Sequence, residues 1–137
     1  MRAYRAMALL LAGLLVSGAL AACGGDDKSK AEDTVKDFVK AIDDRDADKF
    51  CGELVTKRFL ERTTGAKGDR AKDNCKKQIE SAPVKNLTIK LVDIKETTVK
   101  DDRATVSATL ETQGRRQDQV FRLSKEDGDF KLSGSGR

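Results

Sequence analysis

Pro83 is the only proline of the chain, and it divides two incompatible periodicities. Before it, apolar residues recur at helical spacing; after it, they alternate with polar ones. Proline lacks an N–H and disfavours the helical conformation in the residue that precedes it, so a helix that reaches this point must stop. Such a chain is expected to place its helices first and its strands second, a segregated α+β arrangement.

In the helical half, Ser29 is followed three residues later by Glu32, a capping-box spacing. Val35, Phe38, Val39 and Ile42 then fall at i, i+3, i+4 and i+7, which predicts a helix over 30–43. Asp46 stands where it can cap a second helix, with Ala47, Phe50, Cys51, Leu54 and Val55 on its apolar face. Phe59 and Leu60 extend that helix to an end at 63–65. A loop over 65–70 follows, and then Ala71, Cys75 and Ile79 predict a short third helix.

In the strand half, Leu87, Ile89 and Leu91 alternate with polar residues, after which Val92 and Ile94 take the opposite parity. That switch predicts a β-bulge at Leu91 to Val92. Ala104, Val106, Ala108 and Leu110 predict a second strand, Phe121 and Leu123 a third, and Phe130 and Leu132 a fourth. Asp101-Asp102, a loop over Gln113 to Gln117 that contains Gly114, and Asp127-Gly128 supply the turns between them. The domain is expected to span 31–133, with 134–137 as a frayed tail.

The first 22 residues are of another kind. Arg2 and Arg5 precede an apolar run from Met7 to Leu20, the pattern of a secretory leader. A membrane-spanning helix needs about 20 predominantly apolar residues, whereas this run ends at small residues and Cys23. Arg2 and Arg5 are two of the 27 basic residues and none of the 23 acids lies there, so without the leader the formal charge falls from +4 to about +2. Both methionines and the only tyrosine, Tyr4, also lie in the leader, and the chain has no His or Trp. Histidine-based catalysis and His-containing metal sites are thereby excluded. Five Phe serving a core leave no stacking platform for single-stranded nucleic acid.

Leu20-Ala21-Ala22-Cys23 resembles a bacterial lipobox. The resemblance implies a signal peptide over 1–22 and Cys23 as the mature N-terminus, thioether-linked to diacylglycerol. The membrane is then a partner through covalent lipid, and the domain faces outside the cytoplasm. Several acyl chains give stable anchoring where one would not. Residues 24–30 are polar with two Gly and are expected to form a flexible stalk reaching at most about 25 Å.

With Cys23 lipidated, Cys51 and Cys75 remain, an even number in an oxidising compartment, and a disulfide is the expected pairing. A CxxC spacing is absent and no His can complete a zinc shell. No metal and no cofactor are expected.

The order of elements resembles the nuclear transport factor 2-like fold, in which a curved antiparallel sheet wraps around a helical layer as a cone. The first helix with Val35, Phe38 and Ile42, the acidic turn Asp43 to Asp48, the strand Asp102-Arg103-Ala104-Thr105-Val106 and the closing hairpin Phe121 to Leu132 carry the resemblance. It implies about three helices packed on about four strands. Phe38, Ile42, Phe50, Val106, Ala108, Phe121 and Phe130 would line the cone, and small Ala104 and Ala108 leave room there for an apolar ligand. Dimerisation through the sheet is common in this fold, and nothing in the sequence selects for or against a homodimer. Enzymes of the fold, such as ketosteroid isomerase and scytalone dehydratase, use Asp, Tyr or His inside the cone. An enzyme here would need an isolated buried carboxylate such as Asp93 or Glu111, and no nucleophile with a base is found.

Three further patterns have plain explanations. Asp44, Asp46 and Asp48 begin like a calcium loop, but Lys49 and Val55 stand where Gly and Glu are required, so helix capping fits them better. Arg115, Arg116, Arg122, Lys125 and Lys131 lie on the final hairpins and are able to gather as a patch for anionic headgroups or a wall polymer. Interspersed Asp118, Glu126, Asp127 and Asp129 favour a mixed solvated face instead. Asn86-Leu87-Thr88 matches a glycosylation pattern, a coincidence in a chain with a bacterial leader. The expectation is a non-catalytic, lipid-anchored binding domain holding a small apolar ligand in the cone; the alternative is an adaptor that docks an envelope or membrane protein through the sheet face. No nucleic-acid partner is expected.

Overall fold

A computed structural model of the chain describes residues 22–82 and 88–136. The leader, the side chain of Cys23, Pro83 and Leu87 lie outside the described residues. The remainder is α+β, with helices preceding a four-stranded antiparallel sheet in the order β1-β2-β3-β4. α1 spans Ala22–Asp44, α2 is a single turn over Ala47–Lys49, a π-helical turn covers Phe50–Leu54, α3 spans Lys57–Thr64 and α4 spans Asp69–Ser81. The strands are β1 (Ile89–Lys100), β2 (Arg103–Thr112), β3 (Arg115–Glu126) and β4 (Asp129–Gly136).

α1 lies on the inner face of the sheet, where Ala31 and Val35 join Val106, Ala108, Phe121, Leu123, Phe130 and Leu132 in one buried cluster. Polar contacts pin it along its length. Lys125 Nζ pairs with Asp27 at 3.1 Å. Thr97 donates to Glu32 at 2.9 Å, Thr34 donates to the Phe130 carbonyl at 3.1 Å, and the Ile89 amide donates to Asp43 at 3.0 Å.

Residues 24–30 therefore do not form the expected stalk but continue α1 towards the N-terminus. An Asp26–Lys30 pair one helical turn apart (3.1 Å) and burial of Ala31 offset the cost of Gly24 and Gly25.

The expected second helix is two helices. Asp46 does cap its start, its Oδ1 accepting from the Lys49 amide at 3.0 Å. At Val55 the backbone turns extended (φ −121°, ψ 146°) and forms a parallel bridge to Leu132. Thr56, β-branched and buried, then caps α3 by accepting from the Phe59 amide at 3.2 Å, while its own amide donates to the Leu132 carbonyl at 2.9 Å. Hydrogen bonds offered by the β4 edge outweigh local helical periodicity here. Gly65, at φ +70°, closes α3 in the left-handed conformation that glycine adopts at least cost.

The sheet follows its predicted pattern closely. All three hairpins have two-residue turns; the loop expected over 113–117 is only Gln113-Gly114, because 115–117 pair with 110–112, and φ is positive at both Gln113-Gly114 and Asp127-Gly128, as a type I′ turn requires. The predicted bulge is present as a register shift between Leu91 and Asp93, with a second between Ile94 and Glu96. Residues 134–136, expected as a frayed tail, instead complete β4 by pairing with 120–122.

Cys51 in the π turn is bonded to Cys75 on α4, with Cα atoms 6.0 Å apart and 24 residues of separation. In the chain-entropy model a loop of this size contributes roughly 3 to 4 kcal/mol. The double variant C51S/C75S is expected to lose about that much in chemical denaturation. Phe121 is 2% exposed and central to the core. Phe121→Ala should cost about 3–5 kcal/mol, read from the same denaturation midpoints.

Candidate functional site

The residues expected to line an interior site fall into two groups. Val106, Ala108, Phe121 and Phe130 are buried, and Ala104 is buried beside them. Phe38 and Phe50 are partly buried, and the Phe38 ring lies 5.0 Å from Phe50 and 5.8 Å from Phe121. These three rings pack together between α1, the π turn and the sheet. Ile42 is half-buried and stands outside the cluster; Val39 and Ala41 are the buried residues at that end of α1.

The two carboxylates that an enzyme on this fold would have needed lie elsewhere. Asp93 is exposed, and Glu111 accepts from Arg116 Nε at 3.3 Å. Of the acidic turn, Asp46 caps α2, Asp44 pairs with Lys40 and Asp48 pairs with Lys76. Among the described residues, no cluster of three or more Cys, Asp or Glu is arranged to hold a metal ion.

A charged concavity lies on the opposite, outer face of the sheet. It is an open cleft of about 630 Å³ whose lining includes Arg58, Arg62, Arg103, Arg122, Lys125 and Glu126. Arg58 and Arg62 are four residues apart on α3 and so share one face of it, opposite buried Leu60. Arg62 Nη2 donates to the Ser133 carbonyl at 2.8 Å, which holds α3 over β4. Arg103 and Arg122 are exposed while their neighbours Ala104, Phe121 and Leu123 are buried, the alternation of a half-buried sheet.

Register keeps these cations from facing one another directly. Arg103 stands opposite Ser124, and Arg122 stands between Thr105 and Gly134. Like charges in direct cross-strand positions would repel. Ser133 Oγ donates to the Arg122 carbonyl at 3.1 Å, at the register shift between β3 and β4.

The other two charges at the cleft are already engaged. The Glu126 carboxylate accepts from the Lys57 amide at 3.1 Å and faces Lys131 Nζ at 3.6 Å. Lys125 turns to the inner face, paired with Asp27 and 5.1 Å above the Phe130 ring. Arg62 is bound to a neutral carbonyl, and among the described residues Arg58, Arg103 and Arg122 have no acidic partner. Four exposed arginines thus line the cleft without an ion pair among the described residues, the Arg122 guanidinium lying beside Gly136, and each carries a planar fork of donors suited to phosphate or carboxylate.

The basic patch that the final hairpins could have formed does not gather, and the mixed face expected there is what most of these residues show. Arg115 and Arg116 sit at the opposite end of β3, Lys125 points inward and Lys131 is only 15% exposed. Arg122 alone remains, joined by Arg58, Arg62 and Arg103. The i,i+4 spacing of Arg58 and Arg62 was visible in the sequence, but the docking of α3 beside β4 was not.

The opposite half of the outer face is neutralised. Asp118 accepts from Lys95 at 2.7 Å and from Thr109 at 2.8 Å. These two hydrogen bonds, that from Lys95 foremost, hold its carboxyl below the usual carboxylate range. A depressed folded pKa means that the contact is intact at neutral pH and is lost only as pH falls through that lowered value, below the ordinary Asp value of about 3.9. An NMR pH titration of the Asp118 carboxyl is expected to show this low midpoint, rising towards the ordinary value in Lys95→Ala; equal midpoints in the two proteins would refute the assignment.

No protein-family model and no curated protein matches the chain. Among solved structures, the crystal structure of a protein from Sphaerobacter thermophilus is similar at a TM-score of 0.48 and 15% identity, over 78% of this chain and 96% of that one.

Proposed function

We propose that this chain is a bacterial lipoprotein whose nuclear transport factor 2-like domain acts outside the cytoplasm by non-covalent binding at its outer sheet face. The observation that carries the reading is the open cleft lined by four arginines that form no ion pair among the described residues. Such a surface recognises an anionic ligand by charge and by bidentate hydrogen bonds, and it needs no catalytic group. The lipobox-like Leu20 to Cys23 supports attachment to the membrane, and a disulfide in the small domain suits an oxidising compartment. No described helix is long and apolar enough to cross a membrane. Carriage of an apolar ligand inside the domain has less support, because the Phe38, Phe50 and Phe121 rings occupy that space.

The reading is tested in two parts. Full-length protein made in a bacterial host is expected to fractionate with membranes and to carry diacylglyceryl mass on Cys23, and Cys23→Ala to lose both. For the cleft, R103E/R122E is expected to bind an immobilised sulfated polysaccharide roughly ten-fold or more weakly than wild type, from about 1 kcal/mol per cation at an anionic surface. Equal retention with an intact fold by circular dichroism would overturn the surface as the binding site. A co-purified apolar mass released on mild activation in native mass spectrometry would restore the interior.

A further inference from the structure

The start of α1 and the basic cleft are joined through one strand. Asp27 lies four residues after Cys23, about 6 Å along a helix, and its ion pair with Lys125 is about three-quarters buried, with side chains 26% and 27% exposed. The chain therefore leaves position 23 already held against the domain instead of through a slack tether. Successive residues of a strand point to opposite faces. Lys125 of β3 holds α1 on the inner face, while Ser124 and Arg122 of the same strand belong to the cleft on the outer one.

The charges around this end select an orientation. Asp101, Asp102, Asp127 and Asp129 are exposed at the two turns beside the start of α1. Standing on those turns would bring these carboxylates, with exposed Lys28 and Lys100 among them, towards an anionic surface. Lying on the outer face presents Arg58, Arg62, Arg103 and Arg122 instead, with the hydroxyls of Thr105 and Ser124 between them.

We infer that the cleft docks the domain, outer sheet face down, onto the anionic phospholipid headgroups of the membrane that holds its own lipid anchor. The inference rests on the lipoprotein reading above. Each cation near an anionic bilayer favours association about five-fold, so four together are worth on the order of several hundred-fold, and covalent attachment to the same bilayer makes that association intramolecular. Anchor and cleft act as two signals, the anchor fixing residence and the cleft fixing tilt.

The absence of Trp from the sequence and of Tyr after Tyr4 gives a clean optical test. Acylated full-length protein carrying Thr105→Trp is placed in vesicles of phosphatidylcholine, with or without about one third phosphatidylglycerol, each containing a nitroxide-headgroup quencher. Ser124→Trp reports the same face should the first substitution disturb the fold, and Glu80→Trp on α4 is the control. Quenching of the outer-face reporters is expected only in anionic vesicles, weakening as salt shortens the screening length from about 10 Å at 0.1 M to about 3 Å at 1 M. R103E/R122E changes four charge units and is expected to reduce the docked population on the order of a hundred-fold or more.

Unquenched outer-face reporters on acylated protein that floats with anionic vesicles would overturn docking and leave the anchor intact. Equal quenching of the Glu80→Trp protein would overturn the assigned face. A response to soluble teichoic acid but not to anionic vesicles would overturn the bilayer as occupant in favour of a wall polymer. Protein that carries no acyl mass and does not float would overturn the anchor and this inference with it.

Discussion

Burial of one stripe of α1 against the inner face of the sheet is the contact on which the remaining arrangement depends. Val35 and Val106 are both completely buried, and Phe121 meets the edge of Phe38. Hydrophobic burial has no direction of its own, so it leaves a helix free to slide or rotate on a sheet. The polar contacts of Asp27, Glu32, Thr34 and Asp43 with strands on both sides remove that freedom and set the register.

A second constraint decides where the outer face acquires its charge. The disulfide ties the π turn to α4, and the bridge from Val55 to Leu132 then adds a short extended segment to the β4 edge. α3 begins from that segment, so its exposed side meets the outer surface of β4. Arg58 and Arg62 arrive beside Arg103 and Arg122 only for this reason. The short extended segment also covers part of the β4 edge, which would otherwise offer unpaired backbone groups to other chains.

Charge over the sheet is sorted by geometry more than by composition. Lys95, Arg116, Lys125 and Lys131 each lie beside a carboxylate, and the hydroxyl of Thr109 adds to the hold on Asp118. The four arginines at the cleft do not, and their net charge survives in a domain whose totals nearly cancel. Exposed pairs of the first kind contribute little to stability. Their effect is to leave the arginine-lined part of the outer face positive, which suits the docking surface proposed for it.

The α+β order, the four strands, their three turns, the β1 bulge and the Cys51–Cys75 pairing were legible in the sequence because each depends on residues close together or on a simple count. Period 2 after Pro83, Asp127-Gly128 and the even cysteine number after Cys23 carry that information locally. Local periodicity misjudged the chain where partners distant in sequence competed. Val55 left its helix for β4, residues 24–30 became helix by leaning on Lys125, and residues 134–136 became strand by pairing with β3. The cleft belongs to this second kind: its arginines lie on α3, β2 and β3, and no spacing rule relates them. What the sequence by itself determined was the inventory of elements and the bond between the two cysteines. Which side chains share a surface, and which charges find a partner there, was decided by tertiary packing, because electrostatic pairing depends on distance in space and the sequence records only distance along the chain.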